Sequence, residues 1–389
     1  MPVLGETLSR EEQVRSKKWR VIPFARIGVS GDDNVFIQPT NKKKDIYFTL
    51  APGAAIGWGS YEKEVKQLGQ FEHYFELPDF EFGTEQQNFA FAKYTPTLSL
   101  FTKLTDEDAL DHDALVAGRW QFTKLTFGLR LRFQTLSGPD VDVGTRVKRD
   151  ILIASLTSSY NLSEKTSLEL NVSNSTYDYR NQQDFTESVL EAWLDYQWLP
   201  KTRVSIGTRL GDLSQAAGGN QTYEQLLVRL SYHATDKLNV LINGGEELRQ
   251  AESGGSSGLN SVFDFGAIYS PFDGTSIYAT ASRRTTAAVS AADQTITTTG
   301  VSAQVKQRFF HRFYLGIEAG YANSEYRSSS TGNTTGRTDD NFYGRSSFSF
   351  DITKYLSAES AYQYRRNDSS EKNFTFVENI VTVQINLQF

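Results

Sequence analysis

Four histidines, no cysteine and many hydroxyls make up the reactive inventory of this chain, and their spacing decides whether they can do chemistry. His73, His112, His233 and His311 lie far apart, and none has a second histidine at the short intervals that hold a metal. Without cysteine there is no thiol nucleophile, zinc ribbon or disulfide framework. Serine and threonine are frequent, but a hydrolytic hydroxyl needs a positioned base, and the sequence marks none. The acids of TDEDALDHD and the run Asp32, Asp33, Asn34 suit a hard cation such as calcium by ligand type. Neither has the intervals or the glycine turn of an EF-hand loop, so they read as solvated loop charges. GGNQ and SGGSSG lack the strand-to-helix setting of a phosphate-binding loop. No catalytic, cofactor-binding or metal-binding residue is expected, and the chain reads as a non-enzyme.

A second set of charges is spaced to act together. Arg130, Arg132, Glu169, Glu191, Asp195, Arg203, Arg209, Arg229, Asp264, Arg284 and Glu318 fall in stretches where polar and apolar residues alternate. LTFGLRLRF puts Leu125, Phe127, Leu129, Leu131 and Phe133 on one face and Thr126, Gly128, Arg130 and Arg132 on the other, a strand period and not a helical one. SLELNVSN and VLEAWLDYQW repeat the pattern, as do RVSIGTRL, EQLLVRLSY, VFDFGAIY and RFYLGIEAGY. If the apolar face meets lipid, the charges face a polar lumen, because an arginine on the lipid face at mid-depth costs about 2–4 kcal/mol. They are therefore the candidate lumen-lining residues, able to serve either as mutually paired wall structure or as the field that selects a solute.

The elements that must hold them are hairpins. From Lys124 onward, tight turns recur near Thr123, Glu164, Pro200, Thr235, Asp273, His311 and Lys354, roughly 35–43 residues apart, and each interval holds two long strands. Connections alternate between short turns such as LPKT and polar loops such as QTLSGPDVDVGTRVKRD, the asymmetry of outer-membrane barrels. Trp120, Phe122, Tyr160, Tyr196, Trp198, Tyr232, Tyr269, Phe309, Phe310, Phe313 and Tyr355 lie beside the tight turns, as an interfacial girdle requires. The composition agrees: only 39% of the 389 residues are apolar, yet 13% are aromatic, and no apolar run approaches the ~20 residues of a membrane helix. A net charge of −6 gives no support to nucleic-acid binding.

The expected fold is all-β: a transmembrane antiparallel up-and-down barrel of about 18 strands, with 16 and 20 as alternatives. Four strands precede Lys124, in KKWRVIPFARIGVSGDDNVF, DIYFTLAPGAAIGWGS, NFAFAKYTPTLSLF and ALVAGRWQF. Pro23, Pro52 and Pro96 inside them predict bulges, since proline removes a ladder donor. Residues 1–17 form a polar segment, disordered or a short helix, and 18–389 form one barrel domain with an irregular insertion at 61–87. MPVLGETLSREEQ has neither the basic start nor the apolar core of a secretory signal, so a processed chain is expected.

The strand closing on GDDNVF, the strand DIYFTLAPG, the KYTP of the next, the repeated hairpins and the final Phe389 together resemble the β-barrel porins of Gram-negative-type bacteria, including barrels associated with exopolysaccharide loci. The resemblance implies a bacterial outer-membrane location, passive passage of hydrophilic solutes and a link to polysaccharide export. It also implies the bilayer and the outer-membrane assembly machinery as partners, with Phe389 as the terminal aromatic of the assembly signal. The rival expectation is a non-conducting interaction barrel with an occluded lumen that anchors or binds a surface partner.

Overall fold

The computed structural model describes residues 19–59, 88–216, 219–235, 237–252, 256–291, 294–328 and 335–388. Almost all of them lie in eighteen strands. The first six are β1 (Arg20–Asp32), β2 (Asp45–Gly59), β3 (Phe89–Phe101), β4 (Ala109–Gln121), β5 (Leu125–Asp140) and β6 (Thr145–Asn161). Six more follow as β7 (Thr166–Tyr179), β8 (Phe185–Leu199), β9 (Thr202–Gln215), β10 (Gln221–Thr235), β11 (Leu238–Ala251) and β12 (Ser256–Tyr269). The last six are β13 (Thr275–Ala287), β14 (Gln294–Phe309), β15 (Phe313–Ser328), β16 (Thr335–Asp351), β17 (Leu356–Ser369) and β18 (Phe376–Gln388).

Each strand pairs antiparallel with its neighbours in sequence, and β18 returns to β1 through nine registered pairs from Phe24↔Gln388 to Asp32↔Ile380. Closure leaves no sheet edge in lipid, which a membrane-spanning sheet cannot tolerate. The apolar set of every alternating strand lies outside: Leu129, Leu131 and Phe133 on β5, Leu168, Leu170 and Val172 on β7, and Val381, Val383 and Ile385 on β18 are all exposed. The outward rings beside the tight turns, from Trp120 and Phe122 through Tyr196 and Trp198 to Phe310 and Tyr355, are exposed as well.

Two expectations are corrected. Pro52 and Pro96 make no bulge: β2 and β3 pair up to Leu50↔Leu98 and resume at Ala54↔Tyr94 in the same register. The two prolines stand opposite each other in the lapse, so the missing donors coincide and the ladder skips without slipping. Pro23 pairs in register with Ala54. Second, QTLSGPDVDVGTRVKRD is not a long loop, because β5 and β6 stay paired to Asp140↔Thr145. What remains is a four-residue turn, closed by a bond from the Gly144 amide to the Asp140 carbonyl (2.8 Å). The expected segments 1–17 and 61–87 lie outside the described residues, and so does Phe389.

Candidate functional site

Strand parity carries every charge singled out above to the face opposite the exposed apolar rings. Arg130 and Arg132 alternate with exposed Leu129, Leu131 and Phe133 on β5, and Glu169 sits between exposed Leu168 and Leu170 on β7. Glu191, Asp195, Arg203, Arg209, Arg229, Asp264, Arg284 and Glu318 occupy the matching positions of β8, β9, β10, β12, β13 and β15.

From β7 to β13 this inner wall is a paired network. The Arg229 guanidinium donates to Glu169 at 2.5 Å and to Asp195 at 2.8 Å, and lies over the Trp193 ring at 4.3 Å. Asp195, 1% exposed, also accepts from the Ser205 and Ser167 hydroxyls. Arg209 donates to Glu191 (2.9 Å) and to Gln225, Gln225 donates to Glu247 (2.6 Å), and Arg249 donates to Glu247 (2.8 Å). Arg284 and Asp264 close the series at 2.7 Å. Spacing predicts the residues on the inner face; Gln225, Glu247 and Arg249, which connect them, emerge only from the register of β10 and β11. Glu318 accepts from the Tyr343 hydroxyl at 2.9 Å.

The wall formed by β1–β5 is different. Arg26, Lys93, Arg119, Arg130 and Arg132 share its inner face with Asp111 and Asp113, while Asp32, Asp45 and Asp140 lie at its outer end. Asp113 serves both Arg132 (2.9 Å) and Lys93 (3.7 Å). Below those outer acids the cations outnumber the carboxylates on this arc, whereas from β7 to β13 the two signs nearly balance, and an uneven wall of this kind sets a field across a lumen. At the end of the wall near the tight turns, Ile22, Ala55, Phe91 and Leu115 form a buried apolar cluster, so the interior is not polar throughout.

The opposite, outer mouth was not legible from loop lengths. The turn between β5 and β6 is reached from four other places on the rim. Asp142 accepts the Val289 amide (2.6 Å), the Ser290 amide (3.3 Å) and the Ser290 hydroxyl (2.6 Å) from the β13–β14 connection. Arg337 at the start of β16 donates to the Val141 and Asp142 carbonyls at 3.2 and 3.0 Å. Its guanidinium is stacked between Tyr326 and Phe374, at 3.9 and 3.6 Å from their centroids, and is paired with Asp339 at 2.8 Å. Gln38, between β1 and β2, donates to the Gly144 carbonyl. Gly144 itself has φ +75°, and a Cβ there would meet the Phe374 ring at 2.8 Å, so this turn admits only glycine without a shift. Burial pushes the Asp142 carboxyl above the usual carboxylate range, against the opposing pull of Ser290 and Val289.

The remaining candidates have ordinary partners. His112 points outward and shares a hydrogen bond with the Tyr94 hydroxyl (2.8 Å), and His233 pairs with Asn239 (2.7 Å). Asp32 and Asp33 accept from the Asn34 and Asn379 amides, and Glu107 pairs with Arg146. Among the described residues no cluster of His, Asp and Glu is arranged to hold a metal.

A closed eighteen-stranded ring with an apolar exterior, an aromatic rim and inward charge is a transmembrane β-barrel of the outer-membrane type. Residues 267–389 match the family model described as "Putative beta-barrel porin 2", in agreement with the porin resemblance, although GDDNVF, DIYFTLAPG and KYTP lie outside the matched residues. No curated protein matches in sequence. Among solved structures, the chain is similar to OpdQ of Pseudomonas aeruginosa, with 10% identity, 96% of this chain and 100% of that one covered, and a TM-score of 0.48. It is also similar to OccAB3 of Acinetobacter baumannii (10% identity, 95% and 99% covered, TM-score 0.47). A third is Pseudomonas aeruginosa OccK2 (OpdF) in complex with glucuronate (11%, 95% and 98%, TM-score 0.46).

Proposed function

We propose that this protein is a porin-like channel that lets hydrophilic solutes cross the outer membrane passively. The observation that carries the reading is the eighteen-stranded closure with charge on its inner face, since rings of 16–18 strands are wide enough to leave an aqueous path. Among the described residues no group on the wall is arranged to transform a solute; Arg26, Lys93 and Arg130 on one arc and Glu169, Glu187 and Glu191 on the other would orient it. The uneven compensation of the β1–β5 wall favours anionic solutes. Hydroxyl pairs on the inner face of β13–β15, Thr280 with Ser302 (2.6 Å) and Thr298 with Ser324 (3.0 Å), are neutral and suit a carbohydrate, which supports the narrower reading of polysaccharide passage. Reconstitution in planar bilayers tests the proposal. Discrete ion-conducting steps, with a reversal potential in a salt gradient displaced toward that of the anion, are expected; folded protein that never conducts would overturn it.

A second reading has an observation of its own. The meeting of the β5–β6, β13–β14 and β17–β18 connections with β16 at the outer mouth is what an occluded interaction barrel would need. The same bilayer recording separates the two.

A further inference from the structure

The contact between Asp142 and the β13–β14 connection joins opposite walls. β5 and β13 stand eight places apart in the ring of eighteen, so their outer ends can touch only by reaching over the lumen. The β12–β13 seam explains how. It is registered over seven pairs, from Phe263↔Arg283 to Tyr269↔Ile277, while β13 and β14 stay paired to Ala287↔Thr295. Beyond Arg283 the outer end of β13 leaves β12 and carries its connection inward, where Ala287, Ala288 and Val289 are buried. The carbonyl of Thr285, past the fork, is held by Arg249 of β11 at 3.2 Å, and Arg284 is paired with Asp264 just at the fork. Further bonds tie the connection to the intervening wall: the Gln183 amide, between β7 and β8, donates to the Val289 carbonyl, and the Gln215 side chain, at the end of β9, to the Ala288 carbonyl.

The far side is prepared for the contact. Asp142 is held on a turn clamped by Arg337, and three donors from the incoming connection converge on its two oxygens. These partners belong to a tip free of one flanking strand, whereas Arg337, at a bulge between the Glu325↔Thr338 and Arg327↔Thr335 pairs, is fixed by Tyr326, Phe374 and Asp339.

We propose that the stretch from Arg284 to Ser290, beyond the fork, is a gate over the outer mouth and that Asp142 is its latch, with the hinge where β13 parts from β12. The inference rests on the channel reading, because a gate needs a path to close. Opening requires release of the Val289 and Ser290 bonds from Asp142 and of the Gln183 and Gln215 bonds to the Val289 and Ala288 carbonyls; the Arg337 clamp stays in place.

Single-channel recording in planar bilayers tests it with three forms: the wild type, Asp142→Ala, and Asp142→Cys combined with Ser290→Cys. Asp142→Ala should raise the ratio of open to closed time at least about tenfold, the effect of losing a single hydrogen bond, since three are removed. The cysteine pair, closed by oxidation or by a short thiol-reactive bridge, should abolish the steps. Reductant should restore them for the disulfide, and the unbridged protein should conduct throughout. Heat-modifiable migration of each form checks that the barrel is folded. A verified cross-link that leaves conductance unchanged overturns the gate while the channel reading stands. Silence from every folded form, Asp142→Ala included, overturns the channel reading and the gate with it.

Discussion

Replacing Arg229 by methionine should measurably loosen the barrel, because two carboxylates depend on one guanidinium. Glu169 and Asp195 approach it from neighbouring strands at 2.5 and 2.8 Å, and Asp195 is 1% exposed. Breaking a buried pair by removing one partner costs about 3–5 kcal/mol, most of it from the charge left behind. Here Glu169 is 29% exposed, so lumen water can hydrate one of the two carboxylates, and the Ser205 and Ser167 hydroxyls still serve Asp195. The lower end, about 3 kcal/mol, is therefore expected, with methionine keeping most of the contact with the Trp193 ring. Equilibrium unfolding by guanidinium in lipid vesicles, followed by tryptophan fluorescence, reads the change directly, since Trp193 lies under Arg229. The double variant Arg229→Met with Asp195→Asn removes the stranded charge and should recover at least half of the loss. A single variant within about 0.5 kcal/mol of wild type, the range of an ordinary surface substitution, would refute the pairing argument, as would a double variant no more stable than the single one.

Further outcomes are expected. Arg26→Glu, on the cation-rich wall, should move the reversal potential in a salt gradient toward the cation without altering heat-modifiable migration; an unchanged potential would remove that wall from selectivity. Lowering the pH should close the channel. The latched carboxyl of Asp142 is held above its solvated range by burial, so the latched state binds the proton more readily. Its contribution to latching is full below the ordinary carboxylate range and is lost as pH rises through the raised value. The facing groups are the charged Asp140, Asp339 and Arg337 and the neutral phenol of Tyr326, and Asp142→Asn should flatten the dependence. Deleting Phe389 should impair assembly in cells more than it alters conductance of refolded protein; normal assembly would leave that residue only an anchoring role.

Much of the barrel was legible because its side-chain alternation is a local property. A period of two in LTFGLRLRF or SLELNVSN already separates lipid face from lumen face, and proline or glycine near Pro200 and Asp273 marks the turns. The mouth was not legible for the converse reason. Gly138 and Pro139 read as loop residues, yet β5 continues through them because β6 supplies a full partner. No spacing within the chain relates Asp142 to Ser290 or Arg337. Those contacts depend on where β13 leaves β12, which only the pairing of the whole ring determines. Partners within the inner wall were hidden likewise: Arg209 and Glu191 meet because β8 and β9 place them opposite each other.

A channel of this kind needs a water-filled path along the inner faces of these strands. Adjacent residues on β7 test it, since Ser173 points inward and Val172 outward, 51% exposed, and the native chain has no cysteine to interfere. Single-channel conductance would be recorded for Ser173→Cys and for Val172→Cys before and after a charged, water-soluble thiol reagent. The channel account predicts a stepwise fall in conductance for Ser173→Cys and none for Val172→Cys. An equal response at both positions, or conductance untouched by labelling confirmed at Ser173→Cys, would contradict it.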